Sequence, residues 1–198
     1  MLVITTMRDT KGKILKSALK LFSQKGYLGT TTKEIAKEAN VAEVTLFRYF
    51  ISKEKLFIEV LKNQSFLPTL KDLLPRLKNM DYKEALNTTA KYYFNLLKKK
   101  RDLICIMHSE IFQYPAEIRA IHSKMIHEVY LVFASYLDEL KKNGIIRKDL
   151  NTTYASLAYF GMLFNLFIKK ELLRKKIDSK KALQTYIEIF YEGTRRNE

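Results

Sequence analysis

Apolar residues recur every three to four positions along almost the whole chain, the spacing of helices that bury one face. Between residues 11 and 25, Ile14, Ala18, Leu21 and Phe22 share such a face. Leu15 and Leu19 widen it, and Lys13, Lys16 and Lys20 lie off it. Gly26 is placed to stop this helix, because glycine adopts the left-handed conformation without strain. Thr31-Thr32-Lys33-Glu34 then reads as a capping box. The Thr31 hydroxyl bonds the Glu34 amide and the Glu34 carboxylate reaches back. The short helix it starts turns Ile35, Ala36 and Ala39 inward and stops at Asn40. A third short helix follows at about 42–50, and Ser52 caps a fourth that carries Leu56, Phe57, Val60 and Leu61.

Beyond Gln64 the pattern changes. Pro68 and Pro75 interrupt a stretch that reads as a short, broken helix. Longer periodic segments follow at about 82–99, 103–113, 117–143 and 151–173, and a last one at 179–195. Asp81, Asn151 and Ser179 are the expected N-caps, and Asn143-Gly144 is a helix stop. There is no internal repeat and no low-complexity tail.

Composition agrees with an all-α chain, since 6 Gly and 3 Pro in 198 residues are too few for many strands and hairpins. At 47% hydrophobic, the chain can bury a sizeable core, and its 12 Tyr and 12 Phe suit bulky helix packing or an apolar pocket. The net charge of +15 favours an anionic partner, either nucleic acid or a membrane surface. Residues 1–55 hold 11 Lys/Arg against 5 Asp/Glu, and residues 56–198 hold 25 against 16, so the density is higher at the start but does not locate a site. Cys105 is the single cysteine, which excludes an internal disulfide. It lies in the apolar run 103–107 and reads as a small buried thiol. No apolar run approaches the ~18 residues of a membrane span, so no membrane partner is expected. The opening Met1-Leu2-Val3-Ile4-Thr5-Thr6-Met7 has neither the length nor the cleavage pattern of a signal peptide, which makes the cytoplasm the expected location.

Function concentrates in residues 31–56. Two short helices joined by a tight turn at Asn40, with Ala36 small at their crossing and Val41 and Leu46 as apolar plugs, satisfy the requirements of a helix-turn-helix. Such a motif holds a recognition helix rigidly for the major groove. The typed positions go further: a threonine pair, Ile35-Ala36-x-x-Ala39, a turn, Val41, then Leu46-Phe47-x-Tyr49-Phe50-x-Ser52-Lys53-Glu54-x-Leu56. With Leu21-Phe22, Gly26-Tyr27 and Thr30-Thr31 before them, they make residues 11–61 resemble the TetR family of transcriptional regulators. Three positions depart from the family pattern: Asn40 and Val44 where glycine is usual, and Ala42 where serine is usual. The operator of a relative is therefore not transferable.

The resemblance implies a three-helix DNA-binding domain at 8–55 and a helical ligand-binding and dimerisation bundle at 56–198. It implies a homodimer on a palindromic double-stranded operator, the binding mode of a repressor released by a small effector, with no cofactor or metal. Thr32 is placed at a helix start to meet a phosphate, and Tyr49 and Lys53 match positions that clamp the DNA backbone. Phe47 replaces a more usual tyrosine and either packs on sugars or packs inside. Val44, Thr45, Glu43 and Arg48 can face base edges, with Val44 against a thymine methyl, Glu43 on cytosine and Arg48 on guanine. Alternatively, Glu43 serves as a dipole-favoured helix start and Arg48 as a phosphate contact. Small and bulky residues on the last two long helices would form the dimer face: Ala155, Ala158, Gly161 and Met162 on one, Tyr186, Ile189, Phe190 and Gly193 on the other. Effector walls would come from Tyr93, Phe94, Ile104, Met107 and Phe112, and from Met125, Val129, Phe133, Phe160 and Phe164, with His108 or Tyr93 as a polar group. Such walls favour a lipophilic, fatty-acyl-like compound. The bland reading of the same residues is packing alone. Two other classes compete. An enzyme would need a phosphate loop, nucleophile elbow, zinc motif or Glu-x-x-His pair, and the sequence has none. A basic protein binding DNA or membranes without a switch would lose specific and nonspecific binding alike as salt rises.

Overall fold

A computed structural model describes residues 2–196, with side chains from Thr10 onward. Met1 of the opening heptapeptide and Asn197 and Glu198 of the expected second domain lie outside it. Ten α-helices are described. They are α1 (Leu2–Lys25), α2 (Thr32–Glu38), α3 (Glu43–Tyr49), α4 (Lys53–Asn63), α5 (Leu67–Leu77), α6 (Tyr82–Lys99), α7 (Arg101–Glu110), α8 (Ala116–Lys142), α9 (Thr152–Phe167) and α10 (Ser179–Thr194). The fold is all-α, and the sole extended pairing among the described residues is the isolated bridge between Ile146 and Arg195.

The stops and caps follow local chemistry. Gly26, Asn40 and Gly144 all take positive φ, at 75°, 54° and 71°. Thr31 and Glu34 form the reciprocal capping box, and Ser52, Asp81 and Asn151 each accept an amide of the turn they start. Four expectations change. The last helix is capped by Asp178 rather than Ser179, because a carboxylate at 178 accepts both the Lys180 and Lys181 amides. The stretch with two prolines is one helix, α5. Pro68 sits in its first turn, where its missing N–H costs nothing, and Pro75 falls in the last turn. The helix expected at 103–113 gives way at Ile111–Gln113 to a tighter 3-10 turn before Pro115, and that expected at 151–173 ends in a π-helical turn, Ile168–Leu172.

The chain divides into two compact units, residues 1–65 with 100–123, and residues 66–99 with 124–198. The first takes in α4 and α7 beside the three N-terminal helices, so compactness does not follow the 8–55 division of roles. Ile14, Ala18 and Phe22 of α1, Ile35 of α2, Leu46 of α3 and Leu56 and Phe57 of α4 are fully or almost fully buried in it. The second unit has a continuous apolar core from α5, α6, α8, α9 and α10. At its centre Phe133 stacks on Tyr159 at 5.0 Å and meets Phe160 edge-on at 5.2 Å. Phe160 also meets Tyr93 at 4.9 Å, Tyr130 at 6.0 Å and Phe66 at 6.1 Å. The polar atoms inside are largely paired: the Tyr159 hydroxyl donates to the Leu86 carbonyl at 2.5 Å, and the Tyr82 hydroxyl bonds Thr194 at 2.7 Å. The Tyr136 hydroxyl is the one buried side-chain polar atom among the described residues without a hydrogen-bond partner.

Candidate nucleic-acid interface

Helices α2 and α3 are each only seven residues long and depend on their neighbours for stability. The turn between them is closed by the Val41 amide donating to the Ala36 carbonyl at 3.0 Å, with Asn40 left-handed. A side-chain bond braces the pair: the Thr32 hydroxyl donates to the Glu43 carboxylate at 2.6 Å. Thr32 and Glu43 thus hold α3 against α2, a task additional to the phosphate and base contacts expected of them. Beside them Lys25 pairs with Glu34 at 2.7 Å. That bond, reinforced by Thr31, lowers the Glu34 pKa to about 2.

Leu46 and Phe50 anchor α3 inside the unit. Val44, Phe47 and Arg48, spaced i, i+3 and i+4, turn outward together; Val44 is 75% and Phe47 42% exposed. Of the two roles open to Phe47, its exposure favours the outer one. Thr45 and Tyr49 flank this row half-buried, and the Arg48 guanidinium lies 5.9 Å from the Tyr49 ring centre. Ile51, just beyond α3, is 86% exposed and was not singled out by sequence; an apolar residue between Phe50 and Ser52 carries no periodic signal.

Lys53 is less free than a surface clamp would be. Its ammonium sits 4.3 Å from the centre of the Tyr27 ring. Burial pulls its pKa below the ordinary lysine value, against the opposing pull of Glu54, Glu110 and Glu34. Tyr27 is itself held at both ends. Its hydroxyl donates to Glu54 at 2.7 Å and its amide to Glu110 at 3.0 Å. Burial, then the bond to Glu54, pushes the Tyr27 phenol pKa up. Neither Tyr27 nor Glu110 stands out in the sequence as a site residue, because they are 83 positions apart and share no motif.

The matching family model, that of bacterial regulatory proteins of the tetR family, covers residues 14–60, from α1 to α4. The chain is 30% identical to the uncharacterized HTH-type transcriptional regulator YhgD of Bacillus subtilis (strain 168) over 164 residues, 78% of this chain and 79% of that one. It belongs to the TetR family. This TetR-family chain is accordingly a DNA-binding transcriptional regulator. It is also 28% identical over 190 residues to the uncharacterized regulator YvkB of the same organism, covering 94% of this chain and 98% of YvkB. A third relative, the fatty acid metabolism regulator protein of Bacillus subtilis, is 24% identical over 187 residues, 91% of this chain and 93% of the relative. Among solved structures, the transcriptional regulator FadR from Bacillus subtilis in complex with stearoyl-CoA shares the fold with a TM-score of 0.73. It is 22% identical and covers 91% of this chain and 97% of that one.

The other expected site residues of this regulator divide unevenly. Tyr93, Phe94, Met125, Val129, Phe133, Phe160 and Phe164 belong to the second unit, and Ile104, Met107, His108 and Phe112 to the first. Tyr93, Phe133 and Phe160 share one aromatic cluster, completed by Phe66, Tyr130 and Tyr159, which periodicity alone did not separate from ordinary core. Phe112 departs from its expected place. Its ring is 90% exposed and walls nothing, because the tightened turn before Pro115 shifts the helical phase and sends Tyr114 inward instead. His108 is likewise exposed rather than set inside an apolar enclosure.

Of the expected dimer residues, Ala158, Gly161, Ile189 and Gly193 are exposed, and Met162 and Tyr186 are half-buried. Ala155 and Phe190 face the other way. Both are core residues of their own unit, with Phe190 4.9 Å from the Tyr159 ring, so they offer no surface to a partner. Tyr154 and Leu157, 70% and 48% exposed, share the outer stripe of α9 with Ala158 and Gly161. Among the described residues no helix is long and apolar enough to cross a membrane.

Proposed function

We propose that this regulator is a homodimeric repressor that grips a palindromic operator with two copies of α3 and releases it when a lipophilic, acyl-type effector occupies the aromatic core of the second unit. The observation that carries the DNA half is the outward row Val44, Phe47 and Arg48 on a helix whose opposite face, Leu46 and Phe50, is locked inside. An apolar pair flanking a guanidinium suits a major-groove floor, where thymine methyls and guanine acceptors lie side by side. Thr32, Tyr49 and Lys53 would meet phosphates on either side, and Glu43 and Thr45 would border the bases. The two copies of α3 would fall roughly 34–36 Å apart, one turn of duplex. Occupation of such a site blocks polymerase, which is why repression is the favoured output.

The exposed stripe of α9 with Ile189 and Gly193 of α10 is the favoured dimer face. Built Cβ atoms at Gly161 and Gly193 meet nothing within 4 Å, so a second copy can approach the backbone closely there. Support for the effector comes from the ring cluster around Phe160 and from the likeness to a fatty acid metabolism regulator and to FadR with stearoyl-CoA. The Tyr136 hydroxyl, without a protein partner, supplies a polar atom in the same core. A ligand shifts the regulator only by binding one state better than the other, so tight binding alone is no test. The experiment is operator release and thermal shift across fatty acids, acyl thioesters and aromatic compounds. Acyl compounds should release DNA. If no member of a wide panel changes operator affinity, the small-molecule switch gives way to a partner protein.

A further inference from the structure

We propose that Glu110, the last residue of α7, is a positioning residue for DNA binding: it holds Tyr27, and Tyr27 in turn holds the Lys53 ammonium in place for the DNA backbone. The proposal rests on the reading of Lys53 as a phosphate contact. One Glu110 oxygen accepts the Tyr27 amide at 3.0 Å and the Tyr114 hydroxyl at 3.1 Å. The other lies against Gly26, where an added Cβ would stand 2.0 Å from it. Gly26 is favoured there for its φ of +75°, and a side chain at that position would also push the Glu110 carboxylate away from its seat. The Tyr27 ring is packed between Phe57 at 5.0 Å and Tyr114 at 5.6 Å, and the Lys53 ammonium rests over it at 4.3 Å. Tyr27 has two anchors of its own, Glu110 at the amide and Glu54 at the hydroxyl.

The location is an unfavourable one for an anion. Glu110 stands at the C-terminal end of α1, where the last carbonyls carry partial negative charge. Lys25, the cation in the last turn of α1, is engaged with Glu34. What makes the site tolerable is the Tyr27 N–H and the attraction of Lys53, to whose charge Glu110 contributes. Local rules are broken where a protein needs a particular arrangement, and here the arrangement ties one element outside the helix-turn-helix to a DNA-facing lysine. A shift of α7 would loosen Tyr27 and withdraw the seat of Lys53, with no change in α3.

The test is a double-mutant cycle in the full-length chain, read by fluorescence anisotropy on a labelled random-sequence duplex, which reports phosphate contacts without requiring a known operator. Lys53→Ala should weaken binding and lower the salt slope by about one. Glu110→Ala should weaken binding by about three- to tenfold in the wild-type background, the scale of one ordinary hydrogen bond because the effect on Lys53 passes through Tyr27, and have no further effect in the Lys53→Ala background. Glu110→Gln, which keeps an acceptor for the Tyr27 amide, should recover most of the loss. An equal loss from Glu110→Ala in both backgrounds marks a merely structural residue and overturns the proposal, as does no loss in the wild type. If Lys53→Ala itself leaves affinity and salt slope intact, it is the phosphate role of Lys53 that fails, and the proposal falls with it. The Gln variant and a thermal melt separate these results from misfolding.

Discussion

Truncating Phe133 to alanine separates packing from pocket. The ring is fully buried, stacked at 5.0 Å on Tyr159, edge-on to Phe160 at 5.2 Å and 5.7 Å from Tyr136. If those contacts are close packing, Phe133→Ala loses both the transfer of the ring and the filling of the void it leaves, about 3–5 kcal/mol. For a chain of this size each kcal/mol lowers Tm by roughly 2–4 °C, so the fall should be on the order of 6–20 °C. Urea unfolding followed by far-UV circular dichroism should show a lower midpoint at unchanged m-value. A small aromatic such as indole, able to fill an apolar void, should return part of the loss. DNA binding measured well below the transition should survive, since Phe133 lies in the second unit and α3 in the first. A stability loss under about 1 kcal/mol would refute close packing in the ligand-free chain, because it would mean the ring already borders open space of the kind an effector would fill.

Other consequences are narrower. Thr31→Ala should cost about 0.5–2 kcal/mol by removing the α2 cap, read as a lower unfolding midpoint. Because the Glu34 pKa is lowered to about 2 in the folded chain, its contribution is present above the unfolded carboxylate range near 4.5 and is lost as pH falls from there towards 2. Glu34→Gln should flatten that limb of the stability–pH curve, and an unchanged limb would contradict the pairing with Lys25. Tyr136→Phe should leave stability equal or raised, since it removes a buried hydroxyl without a partner; a loss above ~1 kcal/mol would show that the hydroxyl is satisfied. Gly161→Leu should fold as the wild type, because nothing lies within 4 Å of an added Cβ, yet weaken the dimer in light scattering; a monomeric wild type at micromolar concentration would remove the interface.

Much of this was legible in the sequence because it is local chemistry. The capping box at Thr31–Glu34, the left-handed stops at Gly26 and Asn40, and the apolar stripe of α1 each involve residues a turn or less apart. The typed run from Ile35 to Leu56 carried the family. Illegible were the features that depend on which residues meet across the fold. The apolar face of α10 does not reveal that Phe190 points into its own core while Ile189 points out, since both fit an interface and a core equally well. Phe112 looked like wall material until the tightened turn before Pro115 rotated it outward. Glu110 and Tyr27 are brought together only by the packing of α7 on α1. Asp178 over Ser179 is a difference of one residue, within the usual scatter of helix boundaries.

The central claim is that the outward face of α3 reads sequence. Its most direct test is to select random duplexes with the pure full-length protein, then titrate the enriched sequence and a scrambled control with the wild type and with Arg48→Ala at matched salt. The account predicts an enriched inverted repeat, a wild type that prefers it, and an Arg48→Ala variant whose preference falls by about 1–3 kcal/mol at the contacted base while its binding to the scrambled duplex is unchanged. Selection that enriches no sequence, or equal losses for Arg48→Ala on both duplexes, would contradict it.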